Sequence, residues 1–208
     1  MDFTKCWSCG VDRAPASALC PSCGKVQPPR PAGTLIDKFA VLGLAPAVDL
    51  ELAHVEEQYR ALSRKLHPDK FVRATPQERR FSLEQTTILN DAFRTLKDPV
   101  RRAEHVLQLR GAKIAFEGSK LELPPEFLEQ AMDDREQLLE AKASGESGAV
   151  EKLAEGMRGK RDAALAEVRT LLSSSSAAPD DARAAELLAK MKYYSRYLDE
   201  VEGRAPEV

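Results

Sequence analysis

The sequence has few aromatic residues, no long apolar run and almost no net charge. Aromatic side chains make up 6% of the 208 residues, while Ala, Leu, Glu, Lys and Arg are abundant, which favours a mostly helical protein over a sheet. No run approaches the roughly 20 apolar residues that span a bilayer, so we expect no membrane partner. The formal net charge of −2 provides no overall field that would hold the molecule on nucleic acid.

Cysteine is absent after position 23, and the amino terminus lacks the features of a targeting signal. Residues 1–5 form neither an apolar secretory core nor an Arg-rich, acid-poor transit peptide. We therefore expect a cytoplasmic protein. In a reducing compartment, a cluster of four cysteines favours metal binding over disulfide formation.

The cysteines form two Cys-x-x-Cys-Gly knuckles, with ten residues between Cys9 and Cys20. This spacing lets four thiolates surround one Zn²⁺ ion tetrahedrally, and it leaves no open position for catalysis. A redox dithiol and an iron–sulfur site are the alternatives, although a redox motif needs only one pair of cysteines. We predict a zinc-ribbon-like module over residues 1–27 with one structural Zn²⁺. Its ligands are Cys6, Cys9, Cys20 and Cys23.

A Pro-rich stretch over residues 28–34 predicts a stiff linker that sets this module apart from the rest of the chain. A short helix ending at Gly43 follows, and then a longer helix whose apolar face has helical spacing. Pro68 should end that longer helix and display His67 and Asp69 on an ordered loop. The apolar face comprises Leu52, Val55, Tyr59, Leu62 and Leu66, and the opposite side carries Arg60 and Arg64.

Two further helices are predicted before a connector at residues 112–124. The first begins with a capping box formed by Thr75 and Glu78, and it can lie antiparallel to the basic helix. The second begins at Asp98-Pro99 and ends at Gly111. Residues 35–111 are therefore expected to form one helical domain.

Three helical patterns, at roughly 125–144, 148–172 and 181–202, predict a three-helix bundle over residues 125–204. In the first of them, Leu128, Met132 and Leu139 have helical spacing and suit the face that packs on the bundle. For Leu128 and Met132 a binding face is an equally good interpretation, because one helix cannot both bury and expose the same stripe. The chain as a whole is predicted to be all-α.

The order of helix, basic helix, His-Pro-Asp loop and antiparallel helix resembles the J-domain of DnaJ-type co-chaperones. The similarity extends over about residues 36–203 to the HscB family of iron–sulfur cluster co-chaperones, some of whose members carry matching zinc knuckles. The motifs that carry it are Asp37-Lys38-Phe39-Ala40-Val41-Leu42-Gly43-Leu44, His67-Pro68-Asp69-Lys70-Phe71, Ile88-Leu89-Asn90-Asp91-Ala92-Phe93 and Arg102-Ala103-Glu104, together with Phe127-Leu128 and Arg135-Glu136.

The resemblance implies a co-chaperone that is not itself an enzyme. It would deliver an iron–sulfur cluster scaffold protein to a DnaK/HscA-class ATPase and stimulate that ATPase. The residues implied in contact with the ATPase are Arg60, Arg64, Lys65, His67, Pro68 and Asp69.

The scaffold-binding patch implied by the resemblance lies on the first bundle helix and on one aromatic residue of the last. Its residues are Leu128, Met132, Asp133, Glu136, Glu140 and Tyr193. The family usually has a second hydrophobic residue directly after the position of Leu128, where this chain has Glu129. We expect the chain to be a monomer.

Two other functions are compatible with parts of the sequence. A general J-domain co-chaperone with another client would share the His-Pro-Asp loop. A zinc-ribbon nucleic-acid adaptor would use the cysteine module, but that module has few basic residues, which are Lys5, Arg13 and Lys25.

Overall fold

The structure, a computed structural model, describes residues 4–31, 33–112, 123–173 and 178–204, without the side chains of residues 178 and 179. Within these ranges it contains seven α-helices and one two-stranded sheet, so the all-α prediction is confirmed. The chain divides into two compact units, Met1–His105 and Val106–Val208. No helix of the described residues combines the length and the apolar character needed to cross a membrane.

The first unit opens with two small hairpins. Strand β1 (Thr4–Lys5) pairs antiparallel with β2 (Asp12–Arg13), and a single bridge joins Leu19 to Val26. Each hairpin encloses one Cys-x-x-Cys-Gly knuckle, and each knuckle ends in a glycine with positive φ (74° at Gly10 and 70° at Gly24). Glycine adopts this conformation without the strain that a Cβ would cause, which allows both tight turns.

The helices α1 (Lys38–Val41), α2 (Leu52–Leu66) and α3 (Pro76–Lys97) belong to this unit. Helix α4 (Pro99–Leu109) begins in it and extends past its last residue, His105. Helices α2 and α3 run antiparallel. The end of α2 lies beside Ser82, near the start of α3, while Tyr59 in the middle of α2 stacks on Phe93 near the end of α3, with ring centroids 4.2 Å apart. Side chains with almost no exposed surface form the core of this unit, among them Phe39, Leu42, Val55, Leu89 and Leu96.

His105, to which the sequence assigns no role, is buried and joins α4 to α1. Its Nε2 accepts the N–H of Lys38 at 3.0 Å, and its ring stacks on Phe39 with centroids 5.7 Å apart. The first N–H groups of a helix have no intrahelical acceptor, so this hydrogen bond satisfies one of them. His105 is therefore a structural residue.

The second unit contains the three predicted helices, α5 (Pro125–Ala143), α6 (Ser147–Ser173) and α7 (Ala178–Val201). A buried cluster joins them, and it comprises Leu138, Ala154, Met157, Tyr197 and Leu198. The predicted connector lies mostly at residues 113–122, outside the described residues. The domain limits around it stay predictions.

The face of α5 that packs on the bundle differs from the predicted stripe. Leu128, Met132 and Leu139 are 49%, 73% and 54% exposed, whereas Leu138 is completely buried. The prediction that Leu139 faces the core is wrong, and Leu128 and Met132, for which a binding face was an equally good interpretation, lie on the exposed face. The reason is that α5 has a second row with helical spacing, formed by Phe127, Ala131, Asp134, Leu138 and Ala141, and this row faces the other helices.

We predict that Leu138→Ala lowers the free energy of unfolding by about 2–5 kcal/mol, because it leaves a cavity in the bundle core. Leu139→Ala removes the same atoms from an exposed position and should change stability by less than about 0.5 kcal/mol. Urea denaturation monitored by circular dichroism measures both values. Equal losses in the two variants would contradict the assignment of the buried row.

Candidate functional site

The His-Pro-Asp sequence forms the turn that follows α2. His67 leaves the helical conformation (φ −53°, ψ 127°), and a 3₁₀ turn begins at Pro68 and ends at Phe71. The Nδ1 atom of His67 accepts the N–H of Asp69 at 3.3 Å, which closes the turn. The side chains of His67 and Asp69 are 54% and 86% exposed, so the loop presents them to solvent as predicted.

Two hydroxyl groups of α3 anchor the start of this loop. Ser82 Oγ donates to the Leu66 carbonyl at 2.6 Å, and Thr86 Oγ1 donates to the same oxygen at 3.2 Å. Ser82 is completely buried. The last carbonyls of a helix lack intrahelical partners, and Pro68 has no N–H to offer, so these hydroxyls replace the missing donors. Sequence reasoning missed both residues, although polar residues among the apolar positions of α3 are a signal.

The end of the loop is anchored by the predicted capping box. Thr75 Oγ1 accepts the N–H of Glu78 at 3.3 Å, and Glu78 Oε2 accepts the N–H of Thr75 at 3.2 Å. Arg79 donates to the carbonyls of Val72 and Ala74, both at 3.3 Å. The loop is thus attached to α3 at both ends.

The basic residues of α2 are exposed beside this loop. Arg60 forms an ion pair with Glu56 one turn earlier, at 2.9 Å. Arg64 and Lys65, in the last turn of α2, take part in none of the ion pairs found among the described residues. Their charges are therefore available to a partner that approaches the loop.

The exposed face of α5 combines an apolar row with an acidic one. Leu128, Met132 and Leu139 form the apolar row, and the exposed carboxylates Asp133, Glu136 and Glu140 lie beside it on the same helix. Sequence reasoning assigned Leu139 to the core and so left it out of the candidate patch.

Tyr193, the sixth residue of the predicted patch, lies half-buried against the bundle core rather than on the exposed row. Its hydroxyl donates to the Ala131 carbonyl at 2.7 Å, and its ring meets Phe127 edge-on at 5.6 Å. Burial is the main reason that its pKa rises to about 12. The contacts of Tyr193 attach α7 to the amino-terminal half of α5.

The four cysteine sulfurs lie within 4.8 Å of one another. Cys6 Sγ is 3.7 Å from Cys23 Sγ, and Cys9 Sγ is 3.6 Å from Cys20 Sγ. A tetrahedral ion with metal–sulfur bonds of ~2.3 Å places its ligand sulfurs ~3.8 Å apart. The cluster therefore has the size of a four-thiolate metal site.

Backbone N–H groups surround the buried thiols. Burial of the Cys6 thiol disfavours its charged form, but hydrogen bonds from the backbone of Cys9 and Ser8 outweigh this effect and lower its pKa to about 6. The pKa of Cys20 is likewise lowered, chiefly by the backbone N–H of Cys23. Both effects favour the thiolate form that binds metals at these two residues. At Cys23 the backbone N–H of Lys25 lowers the pKa, but burial and hydrogen bonds with the other thiols outweigh it and raise the pKa to about 11.

The three basic side chains of the module, which a nucleic-acid adaptor would need, form contacts within the protein. Lys5 pairs with Asp12 at 3.2 Å and Lys25 with Glu78 at 2.6 Å. Arg13 is buried and donates to the Ser17 carbonyl at 2.9 Å. These contacts leave little free positive charge for phosphate groups.

The module is not set apart from the helices, in contrast to the expectation from the linker. The Trp7 ring meets Phe81 of α3 edge-on at 6.2 Å, and Lys25 reaches Glu78 in the first turn of the same helix. Two aromatic rings and an ion pair outweigh the tendency of a Pro-rich segment to act as a spacer. The hydrogen bond from Lys25 is the main reason that the pKa of Glu78 lies below its usual range.

Two family models match this chain. The DnaJ domain matches residues 37–105, and the HSCB C-terminal oligomerisation domain matches residues 123–202. Proteins described as co-chaperone protein HscB homologues from Shewanella pealeana and Shewanella halifaxensis are 37% identical to it over 164 residues, which cover 78% of this chain and 93% of each relative.

Solved structures have the same fold. The crystal structure of human co-chaperone protein HscB matches with a TM-score of 0.79 at 27% identity, covering 96% of this chain and 97% of the human chain. Chaperone HscB from Vibrio cholerae matches with a TM-score of 0.68 at 30% identity, covering 81% of this chain and 96% of the Vibrio chain. The match to the human structure therefore extends into the cysteine module.

Proposed function

This chain belongs to the HscB family of J-domain co-chaperones, and on that basis we propose that it delivers an iron–sulfur cluster scaffold protein to a DnaK/HscA-class ATPase in the cytoplasm. It stimulates ATP hydrolysis by that ATPase and assists cluster transfer, with no chemistry of its own. The observation that carries this proposal is the exposed His-Pro-Asp turn, which is fixed to α3 at both ends.

The His-Pro-Asp turn and the end of α2 contact the ATPase. His67, Pro68 and Asp69 form the tip, and Arg60, Arg64 and Lys65 supply positive charge beside it. A loop attached at both ends loses little conformational entropy on binding, so more of the contact energy is available to act on the partner. These positive charges attract an acidic partner as it approaches, and they make the rate of association sensitive to salt.

The exposed face of α5 binds the scaffold protein. Leu128 and Met132 provide apolar area, and Asp133, Glu136 and Glu140 provide acidic groups along one edge. Such a row of anchors on one helix is a common way to bind a partner surface. Leu139 lies on the same side and lengthens the apolar row by almost two turns. Tyr193 contributes by holding this end of α5 on the bundle.

The four-cysteine module holds one structural Zn²⁺ ion through Cys6, Cys9, Cys20 and Cys23. The thiolate donor set, the sulfur separations and the backbone N–H groups around the sulfurs suit this ion. The ion supplies folding free energy of about 10–16 kcal/mol, which so short a segment could not obtain from apolar burial. Four protein ligands leave it no catalytic position.

We predict that His67→Gln lowers the stimulation of single-turnover ATP hydrolysis by about tenfold or more. The substitution removes the imidazole nitrogen that closes the turn and the side chain at its tip. His54→Gln is the matched control, since His54 is an exposed histidine of α2, the helix that ends just before His67. Full stimulation by His67→Gln would show that the J-domain assignment is wrong.

Removing the apolar anchors should weaken scaffold binding. We expect the double variant Leu128→Ser/Met132→Ser to raise the dissociation constant by about tenfold or more in a calorimetric titration, because two exposed side chains no longer bury apolar area. Leu83→Ser removes a similarly exposed leucine from α3 and should leave affinity unchanged. Unchanged affinity of the double variant would favour a general J-domain co-chaperone with another client.

Metal analysis of the purified chain should find about one equivalent of zinc. Cys9→Ser removes one ligand and should lower the zinc content well below one, whereas Ser8→Ala keeps the backbone N–H that donates to Cys6 and should retain the metal. A wild-type content well below one equivalent, or the visible absorbance of an iron–sulfur cluster, would refute the structural zinc.

A further inference from the structure

The cysteine module contacts one face of the first three turns of α3. Trp7 packs on Phe81, Lys25 Nζ lies 2.6 Å from Glu78 Oε1, and Gln85 Nε2 donates to the Gln27 carbonyl at 3.0 Å. The α3 residues in these contacts are at positions 78, 81 and 85, a spacing that puts them on one side of a helix.

Each module residue in these contacts is close to a metal ligand. Trp7 lies between Cys6 and Cys9 in the sequence, and its Nε1 donates to the Val26 carbonyl at 2.7 Å. Gln27 is completely buried, and its Nε2 lies 3.3 Å from Cys6 Sγ. The metal that folds the knuckles therefore also sets the positions of the groups that reach α3.

The same three turns of α3 hold the His-Pro-Asp loop. Ser82 and Thr86 donate to the Leu66 carbonyl before the loop, and Glu78 caps Thr75 after it. Helix α3 thus contacts the cysteine module and the loop over one short segment.

Glu78 contacts both the cysteine module and the end of the His-Pro-Asp loop. Its Oε1 accepts from Lys25 of the module, while its Oε2 accepts the N–H of Thr75 at 3.2 Å and the Thr75 hydroxyl at 2.9 Å. The Glu78 side chain is only 6% exposed, which is unusual for a charged residue in the first turn of a helix. Without Lys25, a buried carboxylate would lack its cationic partner, and the cap it forms would become less favourable.

We propose that the metal-loaded cysteine module positions the His-Pro-Asp loop through Lys25, Glu78 and Gln85, so that loss of the metal weakens the chain's engagement of the ATPase. Lys25 and Gln85 are positioning residues, since neither needs to touch the ATPase. When the module does not support α3, the loop occupies its binding geometry for a smaller fraction of the time. The half-saturating concentration then rises while the maximal stimulation stays the same.

Two variants of the whole 208-residue, metal-loaded chain test this proposal. Lys25→Ala removes the ion pair from the module side, and Gln85→Ala removes a hydrogen bond from the α3 side without altering the module. Lys25→Arg keeps the charge and should restore the wild-type behaviour. Lys5→Ala is the control, because Lys5 is an exposed lysine of the same module that, within the described part of the chain, pairs only with Asp12.

Hydrogen exchange followed by mass spectrometry gives a readout that does not depend on the ATPase. We expect the amides of residues 67–75 to exchange about fivefold faster in Lys25→Ala and Gln85→Ala, while the amides of α6 and α7 keep their wild-type rates. The half-saturating concentration for ATPase stimulation should rise by a similar factor. Chelation of the wild-type metal should produce both effects together.

The outcomes separate this inference from the proposed function on which it rests. Wild-type exchange at residues 67–75 and wild-type half-saturation in both variants would overturn the inference, even if His67→Gln abolishes stimulation. Faster exchange in both variants, reversed in Lys25→Arg, would support the positioning role even if the ATPase partner were wrong. A fall in maximal stimulation at unchanged half-saturation would also overturn it.

Discussion

The termination of α2 at Pro68 is the constraint on which the functional loop depends. A helix that stops leaves carbonyl groups without intrahelical donors, and a proline at the next position but one removes a further N–H. In this protein the buried hydroxyl of Ser82, together with Thr86, donates to the Leu66 carbonyl. The place where α2 ends is therefore attached to α3, and the antiparallel packing of Tyr59 on Phe93 keeps the two helices in register.

This attachment gives a physical basis for the proposed action of the loop on another protein. A loop that is already ordered presents His67 and Asp69 to a partner in a defined geometry. The exposed positive charges of Arg64 and Lys65 favour the approach of an acidic partner to this side of the molecule. The face of α5 lies in the other unit and has a different character, with apolar and acidic rows. The two surfaces differ in chemical character, as the proposed delivery of one partner to another would require.

Local features and the antiparallel pairing of α2 with α3 could be predicted from the sequence, but most other tertiary contacts could not. The capping box of Thr75 and Glu78, the turn at Pro68 and the sulfur cluster all follow from residues close together in the chain. Helical spacing alone did not identify the buried face of α5, because the row containing Leu138 has the same period as the row containing Leu139. Periodicity shows that a face exists, but the partner helices decide which one is covered.

The burial of charged residues was also beyond the reach of the sequence. Arg13 and Glu78 are charged residues of the kind usually found at the protein surface. Only the folded structure shows that backbone carbonyls enclose Arg13 and that Lys25 and Thr75 enclose Glu78. The Pro-rich linker gives no information about whether the segments on either side of it touch. The packing of Trp7 on Phe81 shows that they do touch.

We propose that a single chain carries both the loop that engages the ATPase and the face that binds the scaffold. The most direct test mixes His67→Gln, which keeps the face, with Leu128→Ser/Met132→Ser, which keeps the loop, and measures single-turnover ATP hydrolysis with the scaffold present. If delivery needs both surfaces on a single chain, the equimolar mixture gives only the sum of the two separate rates, below the rate with the wild-type chain. A mixture that matches the wild type would contradict delivery by a single chain.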